Sequence, residues 1–356
     1  MRHFFIVITL FSGIAKAGLC NLNTLNGAYS AQSSSAVEVK NMPPVMSQDT
    51  IGICYSTAAS TLLTAENCRA NKVKDCSQIS DKEIFSPLDL AQFGQSEDKQ
   101  PGTFPSEIRE GGAISNVTQR VAIRAGSSAS EECMSLDKVL ADVGGAKEAS
   151  ILQDKVWKSL KEKYTTFKKK CPTCTADSYA SGGNDQAEEL GKFVKDLNLD
   201  VKKSNQDVLA AFAQDTYEHF LYKLLYPPEC LRPSRWVFFS NKGKVGVEFY
   251  PNTGKGNYDE SIKNIKSVLS AGRPLALEGI CCDKAPSEHC AEEHAVVVSG
   301  YRKVCNQKNE CRDSLKVVNS WGQGWQNKND GGWIDARAVL DSTFYKENTL
   351  SWFVDK

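Results

Sequence analysis

Thirteen cysteines in a chain of 356 residues restrict its fold more than any other feature of the sequence. The chain opens with Arg2 and His3, continues with the apolar run FFIVITLFSGI and then has small residues at Ala15–Ala17. This layout predicts a secretory signal peptide over residues 1–17 and an exported mature chain. Cysteines of exported proteins usually pair as disulfides, and an odd number leaves at least one thiol unpaired. The first question is therefore which cysteine is unpaired.

Charge and hydropathy exclude several classes of protein. Lysine plus arginine and aspartate plus glutamate number 43 each, so nothing favours nucleic acid or an anionic membrane as a partner. The apolar run of the leader is too short to cross a bilayer, and no other stretch approaches about 18 uninterrupted apolar residues. A lipid anchor on Cys20 is disfavoured because bulky Leu19 precedes it. We expect a secreted or periplasmic protein.

Cys54 lies in the stretch MSQDTIGICYSTAAS, after a polar, turn-prone run and before small residues that favour a helix. Two interpretations are open. Cys54 is either half of a disulfide or a nucleophile at the N-terminus of a helix. A nucleophilic thiol needs a base, and the base needs a group that orients it.

Four histidines are candidates for the base. His3 is lost with the signal peptide, His219 lies in a helical pattern and His289 lies in a polar, loop-like stretch. His294 opens the run HAVVVSGY, whose β-branched residues predict a buried strand that would hold an imidazole rigidly. Taken alone, His294 is better explained as a core histidine with satisfied hydrogen bonds.

The segment VVNSWGQGWQNKNDGGWI places Asn319 at the end of a predicted strand, among tryptophans and glycines. The side-chain oxygen of Asn319 can accept a hydrogen bond from an imidazole N–H and so fix the tautomer of the ring. Trp321 can cover that hydrogen bond and exclude water. Taken alone, this segment is better explained as a glycine-rich hairpin with aromatic packing.

Together these segments resemble the papain-like cysteine peptidases. The resemblance rests on Gln48 and Cys54 in a Q-x5-C pattern, on HAVVVSGY from His294 and on NSWGQGW from Asn319. It implies an α+β, two-lobed papain-like fold, with Cys54 on a helical lobe and with His294 and Asn319 on an antiparallel, β-barrel-like lobe.

The resemblance also implies a role for each site residue. Cys54 is the nucleophile, and hence the unpaired cysteine, His294 is the base and acid, and Asn319 orients the imidazole. The side-chain amide of Gln48 and the backbone N–H of Cys54 form the oxyanion hole, and Trp321 shields the His–Asn pair. Because a helix N-terminus and an imidazolium both lower the pKa of a thiol, we expect a thiolate–imidazolium pair.

The stretch EGGAISNV resembles the glycine pair along which the family binds extended substrate. Gly111 and Gly112 are therefore candidate substrate-binding residues, since residues without a Cβ let a peptide approach closely. An ordinary loop before a helix explains the same pattern nearly as well.

The spacing of the three segments departs from the family. The base and the orienting residue are expected roughly 130–150 residues after the cysteine, and here about 90–110 further residues intervene. This excess falls in a segment with helical apolar spacing that resembles nothing in the family. We predict an N-terminal extension over 18–39, a helical lobe over 40–126, a mostly α-helical insertion over 127–257 and a β lobe over 258–356.

Three helices and a hairpin are predicted within the insertion. The stretches ILQDKVWKSLKEKYTTFKKK, AEELGKFVKDLNL and QDVLAAFAQDTYEHFLYKLLY each predict one amphipathic helix, and SNKGKV predicts a hairpin. The apolar face of the first helix comprises Leu152, Val156, Leu160, Tyr164 and Phe167, with Trp157 beside it.

The remaining cysteines are predicted to pair. CPTC at Cys171 and Cys174 is interpreted as a disulfide before a zinc site, to which Cys133 and Cys230 could add ligands, and last as a redox motif. Local bridges are also predicted around His294, among the cysteines at 281, 282, 290, 305 and 311.

The resemblance implies an N-terminal pro-segment, but only about 20–30 residues separate Gly18 from the start of the peptidase region near Lys40. Three roles are open for the insertion. It covers the cleft, binds substrate or is a passive surface extension. If it covers the cleft, deleting about residues 150–226 should raise peptidase activity.

The sequence predicts hydrolysis of protein or peptide substrates through a thioester acyl-enzyme, by a monomer without a metal or other cofactor. One alternative is a binding protein with a papain-like fold and a filled cleft, which a free thiol in an oxidising compartment disfavours. The other is a peptide ligase that transfers the same acyl group to an amine. No residue that we can name distinguishes hydrolysis from ligation.

Overall fold

A computed structural model provides the fold. The predicted signal peptide and the two CPTC cysteines lie outside the described residues. The structure describes residues 20, 22–25, 29–31, 36–48, 51–95, 106–136, 146–170, 184–199, 201–283 and 285–356.

Helices and strands alternate along the described residues. The α-helices are α1 (Cys54–Ala70), α2 (Pro87–Leu90), α3 (Ile114–Gln119), α4 (Ala146–Lys170), α5 (Asn184–Asp196), α6 (Asn205–Phe212), α7 (Tyr217–Leu225), α8 (Tyr258–Ser270), α9 (Gly322–Lys328) and α10 (Ala336–Asp341). The strands are β1 (Ser30–Ala31), β2 (Val37–Glu38), β3 (Ser127–Ala129), β4 (Trp236–Phe238), β5 (Val245–Tyr250), β6 (Leu275–Cys281), β7 (Glu293–Cys305), β8 (Cys311–Val318), β9 (Trp333–Asp335) and β10 (Leu350–Asp355).

One antiparallel sheet organises the β lobe. Its strands lie in the order β5-β10-β6-β7-β8-β9, and the short strands β1 and β2 also pair with β7. Helices cover both faces of this sheet. On β7, Ala295 and Val297 join the core on the α1 side, whereas Val296 and Val298 join the core that contains α8 and α10. Burial on both faces explains why the strand is a continuous apolar run rather than an alternating one.

The helical lobe is built around α1. This helix is buried from Tyr55 to Cys68, so its sequence carries small and apolar residues on all sides rather than one apolar stripe. It packs against α2, α3 and the sheet strand β7. The two-lobed α+β fold implied by the resemblance is therefore confirmed.

The inserted helices share the core of the helical lobe. The predicted face of α4 is buried at Val156, Leu160, Tyr164 and Phe167, while the side chain of Leu152 lies outside the described residues. These side chains belong to the same hydrophobic cluster as the apolar residues of α1. Deleting residues 150–226 would therefore expose the core of the lobe as well as remove any cover from the cleft.

Two predictions within the insertion are wrong. The stretch QDVLAAFAQDTYEHFLYKLLY forms two helices, α6 and α7, because Thr216 interrupts it and caps α7 by accepting from the backbone N–H of His219. The stretch SNKGKV does not form a hairpin, because β4 pairs with β3 and β5 pairs with β10. Residues 245–250, which we assigned to the insertion, therefore belong to the main sheet.

Five disulfides connect described cysteines. They are Cys20–Cys282, Cys68–Cys76, Cys133–Cys230, Cys281–Cys290 and Cys305–Cys311. Pairing makes Cys133 and Cys230 unavailable as zinc ligands and makes the sulfur of Cys20 unavailable for a lipid. Bridges within 281–311 were predicted, although Cys282 reaches the distant N-terminal segment instead of a neighbour. In the described part of the chain, no helix is long and apolar enough to cross a membrane.

Candidate active site

Cys54 is the first residue of α1, and its side chain is half-buried. Among the cysteines that the structure describes, it alone is unpaired. Its sulfur faces the backbone N–H groups of Tyr55, of Ala295 and of Cys54 itself. Because Ala295 follows His294 on β7, the sulfur lies against the strand that carries the predicted base.

His294 and Asn319 form a buried pair. Nε2 of the imidazole lies 2.9 Å from Oδ1 of Asn319, and the two residues are 5% and 0% exposed. An amide oxygen can only accept, so Nε2 carries the proton and Nδ1 keeps a lone pair in the neutral ring. That is the tautomer required for a base that removes a proton from a thiol.

Trp321 covers the imidazole. The two rings stack with centroids 4.5 Å apart and planes 18° apart, and Trp325 packs edge-on against Trp321. The indole therefore lies over the ring that makes the His294–Asn319 hydrogen bond, and its role as a shield against water stays a prediction.

Gln326 supports the loop that carries Asn319, and the sequence analysis missed it. Its side-chain oxygen accepts from the backbone N–H of Asn319 at 3.4 Å, and its nitrogen donates to the carbonyls of Val317 and Gly331. A Cβ on Gly332 would lie 2.1 Å from this amide, so the glycine makes room for it. The sequence signal that could have indicated a close contact here was the high density of glycines in this segment.

Gln48 is buried and tied to the same loop. Its side-chain oxygen accepts from the hydroxyl of Ser320, its backbone N–H donates to the carbonyl of Ser320 at 2.8 Å, and Nε2 donates to the carbonyl of Ile51 at 3.1 Å. An amide nitrogen has two protons, so one remains for a substrate oxygen. Ser320 was also missed by the sequence analysis.

The resting site does not favour the thiolate–imidazolium pair that we expected from the sequence. Burial raises the pKa of Cys54 to about 11, and the three backbone N–H groups only partly oppose it. Burial also lowers the pKa of His294 to about 4, against the hydrogen bond to Asn319. Loss of water penalises the thiolate more than the backbone N–H groups stabilise it, and it penalises the imidazolium more than the hydrogen bond to Asn319 stabilises it. At neutral pH we therefore expect a neutral thiol beside a neutral imidazole.

Backbone conformation and packing alone explain why positions 111 and 112 are glycines. Gly111 has a φ of +85°, and its backbone N–H donates to the carbonyl of Gly52 at 2.7 Å. A Cβ on Gly112 would lie 2.8 Å from the ring of Tyr55, so this glycine permits packing beside the residue next to Cys54. The Tyr55 hydroxyl in turn hydrogen-bonds the carbonyl of Arg109 at 3.0 Å. Both glycines are exposed, and their contact with substrate stays a prediction.

The insertion reaches the rim of this region. Lys161 of α4 forms an ion pair with Glu110 at 2.8 Å, and the backbone N–H of Ile108 donates to the carbonyl of Glu218 at 3.1 Å. His219 contacts Glu107 at 3.1 Å and lies on α7, within the helical pattern that the sequence showed. The inserted helices thus hold the segment that leads into the glycine pair.

Mild alkylation of the non-reduced mature protein is expected to add one label, on Cys54. The physical reason is that Cys54 is only partly buried and is unpaired, while ten other cysteines form disulfides. Intact-mass analysis followed by peptide mapping measures the number and site of labels. Labels on Cys171 and Cys174 would contradict their predicted disulfide, and an unlabelled Cys54 would mean that its thiol is blocked.

Comparisons with known proteins give structural likeness only. No family model matches the sequence, and no curated protein matches it. The chain is similar to xylellain, a cysteine protease from Xylella fastidiosa, at 12% identity and a TM-score of 0.41, over 92% of this chain and 91% of that chain. It is similar to SERA5E from Plasmodium falciparum at 13% identity and a TM-score of 0.39, over 89% and 90% of the two chains.

A third similar structure is the SERA5 proenzyme from Plasmodium falciparum, at 13% identity and a TM-score of 0.41, over 95% of this chain and 68% of that chain. At these identities and TM-scores, the likenesses assign no role to any residue of this chain.

Proposed function

We propose that this protein hydrolyses peptide bonds, in an extracytoplasmic compartment, through a thioester on Cys54. The observation that carries the proposal is the position of the free thiol. It lies at the first residue of α1 against the backbone N–H of Ala295, which follows His294 on β7, and Asn319 fixes the imidazole of His294 in the tautomer of a base. The disulfides and the predicted signal peptide support the compartment.

The proposed reaction has two half-reactions. Nδ1 of His294 takes the thiol proton as Sγ of Cys54 attacks the substrate carbonyl, and the resulting oxyanion accepts hydrogen bonds from Gln48 and the backbone N–H of Cys54. The imidazolium then protonates the leaving amine, and the C–N bond breaks. In the second half-reaction His294 removes a proton from water, the hydroxide attacks the thioester, and the carboxylic acid leaves as the thiol regains its proton.

The site contributes most to the transfer of the thiol proton from Cys54 to His294. With pKa values of about 11 for Cys54 and about 4 for His294, we expect both partners to be neutral at rest, so that the thiolate forms only as the carbonyl approaches. Trp321 keeps water from competing for the Asn319 oxygen, and Asn319 stabilises the imidazolium once it forms. The charge of the thiolate passes to the carbonyl oxygen, where donors are worth about 3–4 kcal/mol each in known enzymes.

The test is to trap the acyl-enzyme. We would mix the mature protein with activated esters of short peptides, quench in acid and determine the intact mass and the modified residue. The expected result is an acyl group on Cys54 that decays to free acid in water. Decay mainly to an amide when an amine is added would instead indicate a ligase. A reactive Cys54 that is never acylated by esters and never cleaves peptides would indicate a binding protein.

A further inference from the structure

Glu278 is a carboxyl group between the two lobes that the proposed reaction does not use. It lies on β6, at the irregularity between Leu277 and Ile280, and is followed by Gly279 with a φ of +71°. Its carboxylate accepts hydrogen bonds from the backbone N–H groups of Ile114 at 2.7 Å and Ser115 at 3.2 Å. The side chain thus extends from the sheet to the start of α3, and it remains partly exposed.

The surroundings of Glu278 contain negative charge and a buried hydroxyl. Its charge is near enough to Cys54 to raise the pKa of the thiol, and Glu293 is near enough to raise the pKa of Glu278. The Ser351 hydroxyl also interacts with this carboxyl, yet Ser351 is 1% exposed and its Oγ makes no hydrogen bond of normal geometry within the described residues. In the same part of the chain, no lysine or arginine forms an ion pair with Glu278.

Glu278 has a structural role as the acceptor for the first two backbone N–H groups of α3, but that role supplies no counter-ion for its charge. Burial raises its pKa to about 7, above the ordinary value of 4.5, so the folded protein favours the protonated form. A raised carboxyl pKa contributes stability at low pH, and this stability is lost as the pH rises from about 4.5 to about 7. At neutral pH and above, an ionised Glu278 therefore costs stability and also opposes the thiolate of Cys54. Glutamine would avoid both costs, but its single amide oxygen could accept from only one of the two backbone N–H groups.

We propose that Glu278 and the Ser351 hydroxyl bind the cationic side chain of a lysine or arginine in the substrate. This inference rests on the peptidase function proposed above and names its substrate class. An ammonium or guanidinium group donates to both a carboxylate and a hydroxyl, and it supplies the counter-ion that Glu278 lacks. Binding the cation also removes the opposition of Glu278 to the thiolate. A basic substrate would thereby increase the reactivity of the nucleophile that attacks it.

Peptides that differ only in charge test the proposal. We would scan arginine against citrulline, its neutral analogue of similar shape, through the positions on the acyl side of the cleaved bond. At one position the wild type should prefer arginine about tenfold or more in kcat/KM, and Glu278→Gln should abolish the preference. Glu248→Gln, which removes an exposed carboxylate on β5, is the matched control and should retain it.

A second measurement does not depend on peptidase activity. Cys54 would be labelled with a cationic trimethylammonium-ethyl methanethiosulfonate and with neutral methyl methanethiosulfonate, and the ratio of the two rates compared. The ratio should fall about tenfold in Glu278→Gln and stay unchanged in Glu248→Gln. The substitution also changes the reactivity of the thiol itself, and this change affects both reagents alike. The ratio of the two rates therefore reports only the effect of the reagent's charge.

The two measurements separate the two proposals. If no peptide is cleaved but the labelling ratio depends on Glu278, the peptidase proposal fails and the cation site stands. If peptides are cleaved while neither the arginine preference nor the labelling ratio responds to Glu278→Gln, the cation site is overturned. Unchanged thermal unfolding of the variant shows that the fold is retained, since glutamine keeps an acceptor for Ile114.

Discussion

Replacing Cys54 with serine is expected to lower kcat/KM for peptide hydrolysis by about 10³-fold or more. The change exchanges one sulfur atom for oxygen at the first residue of α1. An alcohol is far less acidic than a thiol, and a neutral imidazole in this buried site cannot compensate for the difference. Steady-state hydrolysis of the best peptide substrate, with active protein quantified by mass, measures the effect.

The Cys54→Ser variant should fold normally. Cys54 forms no disulfide, is half-buried and donates no side-chain cap to α1, so its melting temperature should match that of the wild type. Substrate binding should also survive, because the oxyanion donors and the cation site are unchanged. Retention of full activity by the folded variant would show that another residue is the nucleophile and would remove the basis of the proposed mechanism.

For each site residue, the sequence predicted the local structure, which depends on neighbouring residues along the chain. Cys54 begins α1, His294 lies at the start of β7 and Asn319 directly follows β8, and each position follows from local composition. Bringing the three together required the resemblance to a known family, since no local pattern states that the N-terminus of α1 faces β7. In the structure, Nε2 of His294 lies 2.9 Å from Oδ1 of Asn319. Two residues that local patterns indicated separately are therefore in contact.

The parts that the sequence did not predict depend on distant partners. Glu278 is a charge within the apolar stretch LALEGI, but its donors Ile114 and Ser115 lie more than 160 positions earlier in the chain. The strand β5 was assigned to the insertion because its partner β10 is at the C-terminus. Thr216 divided one predicted helix into two because a capping hydroxyl outweighs an apolar pattern that continues on both sides of it.

The sequence also does not give the burial of a side chain. Here burial reverses the expected direction of the pKa shift of Cys54. A helix N-terminus and a nearby histidine are reasons for an acidic thiol, but they act in proportion to how much water remains. In this site the loss of water dominates, and the pKa values of Cys54 and His294 move apart, to about 11 and about 4.

The rate of alkylation of Cys54 by iodoacetamide is therefore expected to rise about tenfold per pH unit between pH 6 and pH 10, a change of about 10⁴-fold, without a plateau. Only the thiolate reacts, and its fraction grows tenfold per unit at every pH below the pKa of about 11. The measurement is the second-order rate constant for loss of free thiol, followed by mass across this range. His294→Ala should leave the slope unchanged, because a neutral imidazole contributes no charge to the resting thiol.

A plateau that begins below pH 7 and disappears in His294→Ala would contradict this expectation. It would mean that the mutual attraction of thiolate and imidazolium exceeds the cost of burying both charges, so that the ion pair exists before substrate arrives. The two outcomes also differ for Glu278. If the thiol is neutral at rest, removing the charge of Glu278 lowers the pKa of Cys54, and Glu278→Gln should react faster above about pH 7, where the wild-type carboxyl is ionised. If the ion pair exists already, the same substitution should change the rate little on the plateau, and a basic substrate would gain binding but no activation.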